Sequence, residues 1–282
     1  MTSLSPTAPR LALPRWFKHL GLTLGTGIVL VVLLASLMAS FITPYDPIEQ
    51  ELSNTVQPPS PEHWFGTDNF GRDIFSRALH AAKLDLMIGV LAVLFPWLIG
   101  VALGALSGYL GGFVDTVIMR TVDTFTAFPF LVLVIGIIAI LGPGLVSMYV
   151  ALTLAGWSAY ARIIRGEILA LKKSDYVTAA RALGYGNGRI MFRHILPNVV
   201  TPAIVYMMSD ITLTILSTTA LSFLGLGVQP PTAEWGSMIA EGKEFIFSAW
   251  WLIVMPGLAL VTVGVGLSLL GDGLADVLRT ED

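Results

Sequence analysis

The chain has 282 residues, of which 55% are hydrophobic and 12% charged, with a formal net charge of −3 and no cysteine. A water-facing domain carries about 25% charged residues, so charge this sparse, with a mean hydropathy of +0.77, places the chain among integral membrane proteins. The charge balance leaves no basic footprint for nucleic acid, and the lack of cysteine excludes disulfides, thiolate zinc sites and cysteine nucleophiles.

Residues 1–19 read as a polar tail with three prolines and the basic residues Arg10, Arg15 and Lys18. The apolar stretch Leu20–Ile42 follows. It is longer than the roughly 7–15-residue core of a signal peptide, and "SLMASFITPYD" offers no A-x-A cleavage site, so it reads as a retained helix. A helix needs about 20 apolar residues to cross hydrocarbon, where every backbone polar group must be paired internally. Five further candidates are Leu84–Gly108, Phe125–Leu141, Val146–Ile164, Val199–Leu221 and Trp250–Leu270. The expectation is an all-α membrane protein of six spans: a first helix over 20–42, an external loop over 43–83 and a five-helix core over 84–282.

Within 43–83, "QPPSP" reads as an extended linker and "FGTDNFGRDIFSRALHAAKLDL" as turns leading into a helix. "DNFGRD" lacks the ligand spacing of a calcium loop, so Asp68 and Asp73 are read as turn caps. Through the second span and just past it, Gly100, Gly104, Gly108 and Gly112 recur every four residues. Such a stripe lets another helix approach closely; the neighbour lies either in this chain or in a partner subunit. Pro96 is expected to kink the same span.

"DYVTAARALGYGNGRIMFRHILPN" (175–198) interrupts the apolar pattern with Arg181, Arg189, Arg193 and His194. Asp175 is suited to capping a short helix, "YVTAARAL" supplies about two turns, and Gly184 stands where a left-handed residue ends a helix. "RIMFRHI" starts a second helix, which Pro197 bends or breaks. The stretch reads as a helix–turn–helix elbow on which Ala179 and Ala180 offer a surface without bulky side chains. No strand precedes "GYGNG" and no Lys-Ser/Thr follows it, so it is not a phosphate loop. Asp210, in "MMSDITLT", is the one acid deep in a span. A charge there costs about 2.5–3.5 kcal/mol on insertion scales, so it either faces a translocation path or a partner, or is a structural carboxylate bonded near Ser209 and Thr212. Residues 222–249 form a second external segment, with a short amphipathic helix in "AEWGSMIAEGKEFIF" and Trp235, Trp250 and Trp251 as interface-belt residues.

Twelve of the sixteen Lys and Arg fall in segments that share one side if the first helix enters from the cytoplasm; the other segments hold four, together with nine acids. The positive-inside rule therefore puts both termini and the 175–198 elbow in the cytoplasm. The four histidines are scattered and none pairs with a Ser or acid at motif spacing, so no catalytic or metal constellation is expected.

The residues of the elbow also resemble a known family. "TAARALG" followed by "HILPN" is similar to the EAA loop of ABC importer permeases: Glu-Ala-Ala, three residues, Gly, nine residues, then Ile-x-Leu-Pro. Ala179, Ala180, Gly184, Leu196 and Pro197 match; Thr178 stands where Glu is usual and His194 where Ile is usual. "FGTDNFGRDIFSRAL", "GYLGGFVDTVIMRTVD", "RGEILALKKSDYVTAARALG", "LSFLGLGVQPP" and "GDGLADVL" resemble the dipeptide, oligopeptide and nickel permeases, specifically the second of the two permease subunits. Ala275 replaces the Arg usual in the last motif. The resemblance implies a type I ABC importer permease fold in the inner membrane and import of short peptides, with nickel or another small solute as the alternative. It implies a coupling helix around Asp175, Thr178, Ala179, Ala180, Arg181 and Gly184 that docks on an ATPase. It also implies a homologous second permease, two ATPase subunits that bind ATP and Mg, and an external substrate-binding protein. This chain itself would hold no cofactor and be no enzyme. A secondary transporter would instead call for several buried charges and inverted repeats; one such charge and no such repeat are evident.

Overall fold

The computed structural model describes residues 15–279, so most of the 1–19 tail and the last three residues fall outside the described range. Among the described residues the structure is helical, with one isolated antiparallel bridge between Thr67 and Asp73. α1 (Arg15–Leu37) is the expected first span; it breaks at Met38, and a separate turn, α2 (Ala39–Ile42), completes the stretch. α3 (Ile74–Leu110) runs for 37 residues, about 55 Å at 1.5 Å per residue. It starts ten residues before the expected span, because Asp73 caps it: the carboxylate accepts from the Ser76 N–H and hydroxyl, each at 2.7 Å.

α4 (Gly112–Thr126) and α5 (Phe130–Leu141) replace the single span expected over 125–141. They meet at a 90° bend. The physical reason is Pro129, which has no N–H to donate and pushes Phe128 out of helical geometry. α5 alone, with 12 residues, spans about 18 Å and is too short for the bilayer. α6 (Leu145–Leu171) is long enough but carries Arg162, Arg165 and Glu167 in its second half. By length and composition four helices cross a membrane, or five with the bent pair counted as one, so the expected six is not reached on those grounds alone.

α7 (Asp175–Ala182), α8 (Asn187–Arg189), a π-helical turn (Ile190–Ile195) and α9 (Leu196–Phe223) follow, the last three continuous. Pro197 accounts for the wide turn. It lacks the N–H that an α-helix would donate to Arg193, and its ring needs room beside that carbonyl. Asn198 takes up the adjacent loose end, its Nδ2 donating to the His194 carbonyl at 2.7 Å. α10 (Trp235–Gly242) and α11 (Trp251–Arg279) complete the described residues.

The 43–73 segment is tied down by a buried polar knot. Asp68 accepts from the N–H groups of Phe70 and Arg72 and from Arg72 Nε, the last at 2.6 Å. Arg72 also donates to Glu241 at the end of α10, again at 2.6 Å, and the Arg77 guanidinium donates to the Pro47 carbonyl. Asp73, besides its cap, sits 3.0 Å from His63 Nδ1. The turn-capping roles of Asp68 and Asp73 are thus present. Trp235 and Trp251 are not belt residues: both are buried, with indole N–H groups donating to the Ala78 and Thr67 carbonyls. Of the three, Trp250 alone is exposed. An indole whose N–H finds a backbone acceptor is as well placed in a core as at an interface.

Candidate functional site: the elbow and the cavity above it

The elbow begins one residue earlier than its sequence suggests. Ser174, not Asp175, occupies the N-cap position, and its hydroxyl bonds back to the Leu171 carbonyl, so neither side chain caps the helix. Asp175 is left in the first turn, where a negative charge favours the helix dipole. The other end matches expectation. Gly184 has φ +78°, its N–H bonds to the Arg181 carbonyl, and the Tyr185 N–H reaches the Ala180 carbonyl. These are the two bonds of a Schellman turn.

α7 shows two different faces. Val177 and Ala180 are buried against Ile168, Ile190, Ile195 and Val199, so Ala180 packs inside this chain and is not part of an open surface. Thr178, Ala179, Arg181 and Gly184 are exposed, and beside them Leu183 is 72% and Phe192 69% exposed. Tyr185 closes the elbow, stacked on His194 at 5.8 Å between centroids with the Arg189 guanidinium 4.1 Å over its ring. His194 therefore does the aromatic packing at the position where the family pattern has Ile.

The elbow is bonded to the long helices. Lys172 Nζ donates to the Tyr109 carbonyl at 2.5 Å, and the Tyr109 hydroxyl donates to Asn187 at 3.0 Å. These tie the end of α6 and the start of α8 to the end of α3. Nearby, Arg165 grips Asp115 of α4 with two parallel bonds of 2.5 and 2.7 Å, and Ser107 of α3 joins the same carboxylate. Sequence reasoning did not find this ion pair; both residues lie in quoted motifs, but fifty positions separate them.

The glycine stripe resolves as packing within the chain for three of its four members. A Cβ on Gly100 would meet the Trp157 carbonyl and Tyr160 Cβ at 2.5 Å, one on Gly104 the Ala161 carbonyl at 2.5 Å, and one on Gly108 Ile168 at 3.0 Å. α3 and α6 thus lie backbone to backbone. Gly112 is outside the stripe: α3 ends at Leu110, and Gly112 has φ +55° with nothing within 4 Å of its would-be Cβ. It turns the chain into α4.

Midway along α9, Asp210 faces a cavity of about 540 Å³ between α3, the α4–α5 bend, α6 and α9. Its wall is mostly apolar, formed by Pro96, Phe125, Phe128, Leu131, Leu152 and Leu213 among others. The Tyr160 hydroxyl, on a fully buried ring, donates to Asp210 Oδ2 at 2.6 Å. Tyr160 also stacks edge-on against Tyr206, another lining residue. Asp210 therefore bonds across to α6, not to Ser209 or Thr212. Tyr160 carried no signal in the sequence beyond being a polar-tipped residue within a span.

The profile of the family described as "Binding-protein-dependent transport system inner membrane component" matches residues 100–280, well over half of the chain. The chain belongs to this family. The permease is 42% identical over 258 residues to a dipeptide transport system permease protein of Alkalihalophilus pseudofirmus, covering 92% of this chain and 84% of that one. It is 40% identical over 256 residues to a di/tripeptide transport system permease protein of Pseudomonas aeruginosa, covering 89% and 84%. Among solved structures it resembles the MetNI methionine ABC transporter in an inward-facing form, with a TM-score of 0.58 at 17% identity, over 74% of this chain and 98% of that one. That likeness carries the fold, that of a type I ABC importer permease. The permease is a multi-pass component of the inner membrane, and the elbow, Asp210 and all of the cavity wall except its Ala92 and Pro96 edge lie inside the matched region. As a transport permease it is itself no enzyme.

Proposed function

We propose that this permease is one half of the translocation path of an ATP-driven importer of short peptides. A homologous permease supplies the other half, and α7 docks on one of two partner ATPase subunits. The observation that carries the reading is the elbow. Its turn is locked, its inner face is bonded to the ends of α3 and α6, and its outer face is bare and partly apolar. A docked helix that cannot bend at its turn moves with the ATPase, and α3, α6 and α9 are the walls of the cavity, so closure of the ATPases on ATP is transmitted as rigid-body displacement. Asp210 lines the path in this reading, a binding protein delivers the peptide from outside, and both termini are cytoplasmic. Peptide cargo is supported by the names of relatives about 40% identical over most of the chain.

The cysteine-free sequence makes the test direct. Ala179→Cys introduces a single thiol on the exposed face of α7. In the assembled importer it is expected to cross-link to the ATPase, and in inside-out vesicles stripped of ATPase it should react with an impermeant maleimide. Labelling in right-side-out vesicles, or no cross-link in an importer that takes up dipeptide, overturns the docking assignment.

A further inference from the structure

The cavity poses an electrostatic problem that the import reading alone does not answer. Asp210 has one donor, the Tyr160 hydroxyl on Oδ2; its other carboxylate oxygen has no partner among the described residues. A carboxylate at the middle of a membrane helix with a single neutral donor is expensive. Among the described residues no Lys, Arg or His lines the cavity, so no described side chain neutralises it there. Nor do the described residues hold a cluster of His, Cys, Asp and Glu suited to a metal ion. The wall of the same cavity offers aromatic rings, Phe125, Phe128, Phe130 and Tyr206, and the hydroxyls of Ser158 and Thr214. Ring faces attract an organic cation, and hydroxyl oxygens accept N–H bonds.

That set of groups fits one chemistry. We infer that the free oxygen of Asp210 receives the α-ammonium of a peptide in transit, so that the permease itself, and not only its delivery partner, discriminates for a free amino terminus. A primary ammonium brings three N–H donors and one positive charge. The carboxylate takes one donor and the charge, while the hydroxyls and ring faces take the rest. Tyr160 positions the carboxylate by holding Oδ2. The volume of about 540 Å³ accepts a small peptide, and the side-chain end meets apolar wall with no fixed polar pattern, which suits cargo of variable sequence. This inference rests on the peptide-import reading above.

The test uses the complete complex of both permeases and both ATPases in nanodiscs, free of nucleotide and of binding protein, so that the binding protein's own preference does not enter. The probes are radiolabelled L-alanyl-L-alanine and its N-acetyl derivative in equilibrium binding. The free-amine dipeptide is expected to bind about 10-fold or more tightly than the acetylated one, the size of a lost charge-assisted bond. Asp210→Asn should erase that ratio, and Asp210→Glu should keep part of it. Tyr160→Phe, which leaves the charge in place, should lower the ratio several-fold and guards against an Asn variant that fails to assemble. Equal binding of the two probes by the wild-type complex, or an unchanged ratio in Asp210→Asn, overturns the inference. Uptake by the full importer in proteoliposomes separates the two levels. Dipeptide import with no amine preference in the permease sinks only the ammonium site, whereas no dipeptide import at all sinks the peptide reading and this inference with it.

Discussion

The contact of α3 with α6 yields a sharp expectation for one methyl group. Gly104→Ala places a Cβ 2.5 Å from the Ala161 carbonyl oxygen and 2.9 Å from Ala161 Cα. Both are backbone atoms, so no side-chain rotation relieves the overlap and the two helices must part. Overpacking of this kind costs about 1–3 kcal/mol, against which the better helix propensity of Ala returns at most about 1 kcal/mol. The same substitution at Gly166 is the control. It lies in the interior of α6, and nothing stands within 4 Å of its would-be Cβ, so only the propensity gain of up to about 1 kcal/mol remains. The two variants should therefore differ in sign, with a gap of about 1–3 kcal/mol. At roughly 2–4 °C per kcal/mol, the melting temperatures of the purified permease in detergent should differ by several degrees. Equal melting temperatures for the two variants would show that α3 and α6 are not in backbone contact.

Gly184→Val forces a β-branched residue to φ near +78°, at about 1–2 kcal/mol; membrane insertion should be normal while ATPase co-purification and uptake fall, and Gly184→Asn should largely restore both. Arg165→Ala and Asp115→Ala should be non-additive by about 1 kcal/mol in a double-mutant cycle, since their bidentate pair is only partly exposed; a coupling of zero removes the pair from the account of how α4 is held. Glu234 caps α10 through the Gly236 and Ser237 N–H groups and sits buried beside Asp85 of α3, which accepts the Trp235 N–H. Burial pushes the Glu234 carboxyl up from its usual 4.5. A raised value in the folded state means its contribution to stability is full below about 4.5 and is lost as pH rises through the folded value. The melting temperature should therefore fall across that window. Asp85→Asn, whose amide donates a bond to the Glu234 carboxylate, should flatten the fall, and parallel pH profiles for wild type and variant would refute this.

What the sequence made legible were features that local physics dictates. Gly184 needed its left-handed turn whatever lay around it, and the repeat of Gly100, Gly104 and Gly108 announced a close helix contact, though not with which helix. Asp210 stood out because a lone acid among apolar residues has few excuses. The break at Pro129 was written in the chain, since proline disfavours helical geometry before it, but the apolar run over 125–141 outweighed it. Other features depended on partners far along the chain. Nothing local says that Trp235 will find the Ala78 carbonyl, that Arg165 will meet Asp115, or that Tyr160 will reach Asp210. The burial of Ala180 turned on the rotation of α7 about its axis, which two turns of helix with small residues on both sides leave undetermined.

The pairing of α1 with α11 has a consequence for how the molecule is made. Would-be Cβ atoms on Gly25 and Gly273 would strike Leu270 and Leu22, so the first helix is sealed against the last along much of its length. A ribosome adding about 5–20 residues per second needs roughly 12–50 s to pass from one to the other. For that interval α1 sits in lipid without its mate. Its window of 18 residues with mean hydropathy 2.3 is what lets it wait there, and the close fit to α11 becomes a late fastening made only after the helices between them have been synthesised.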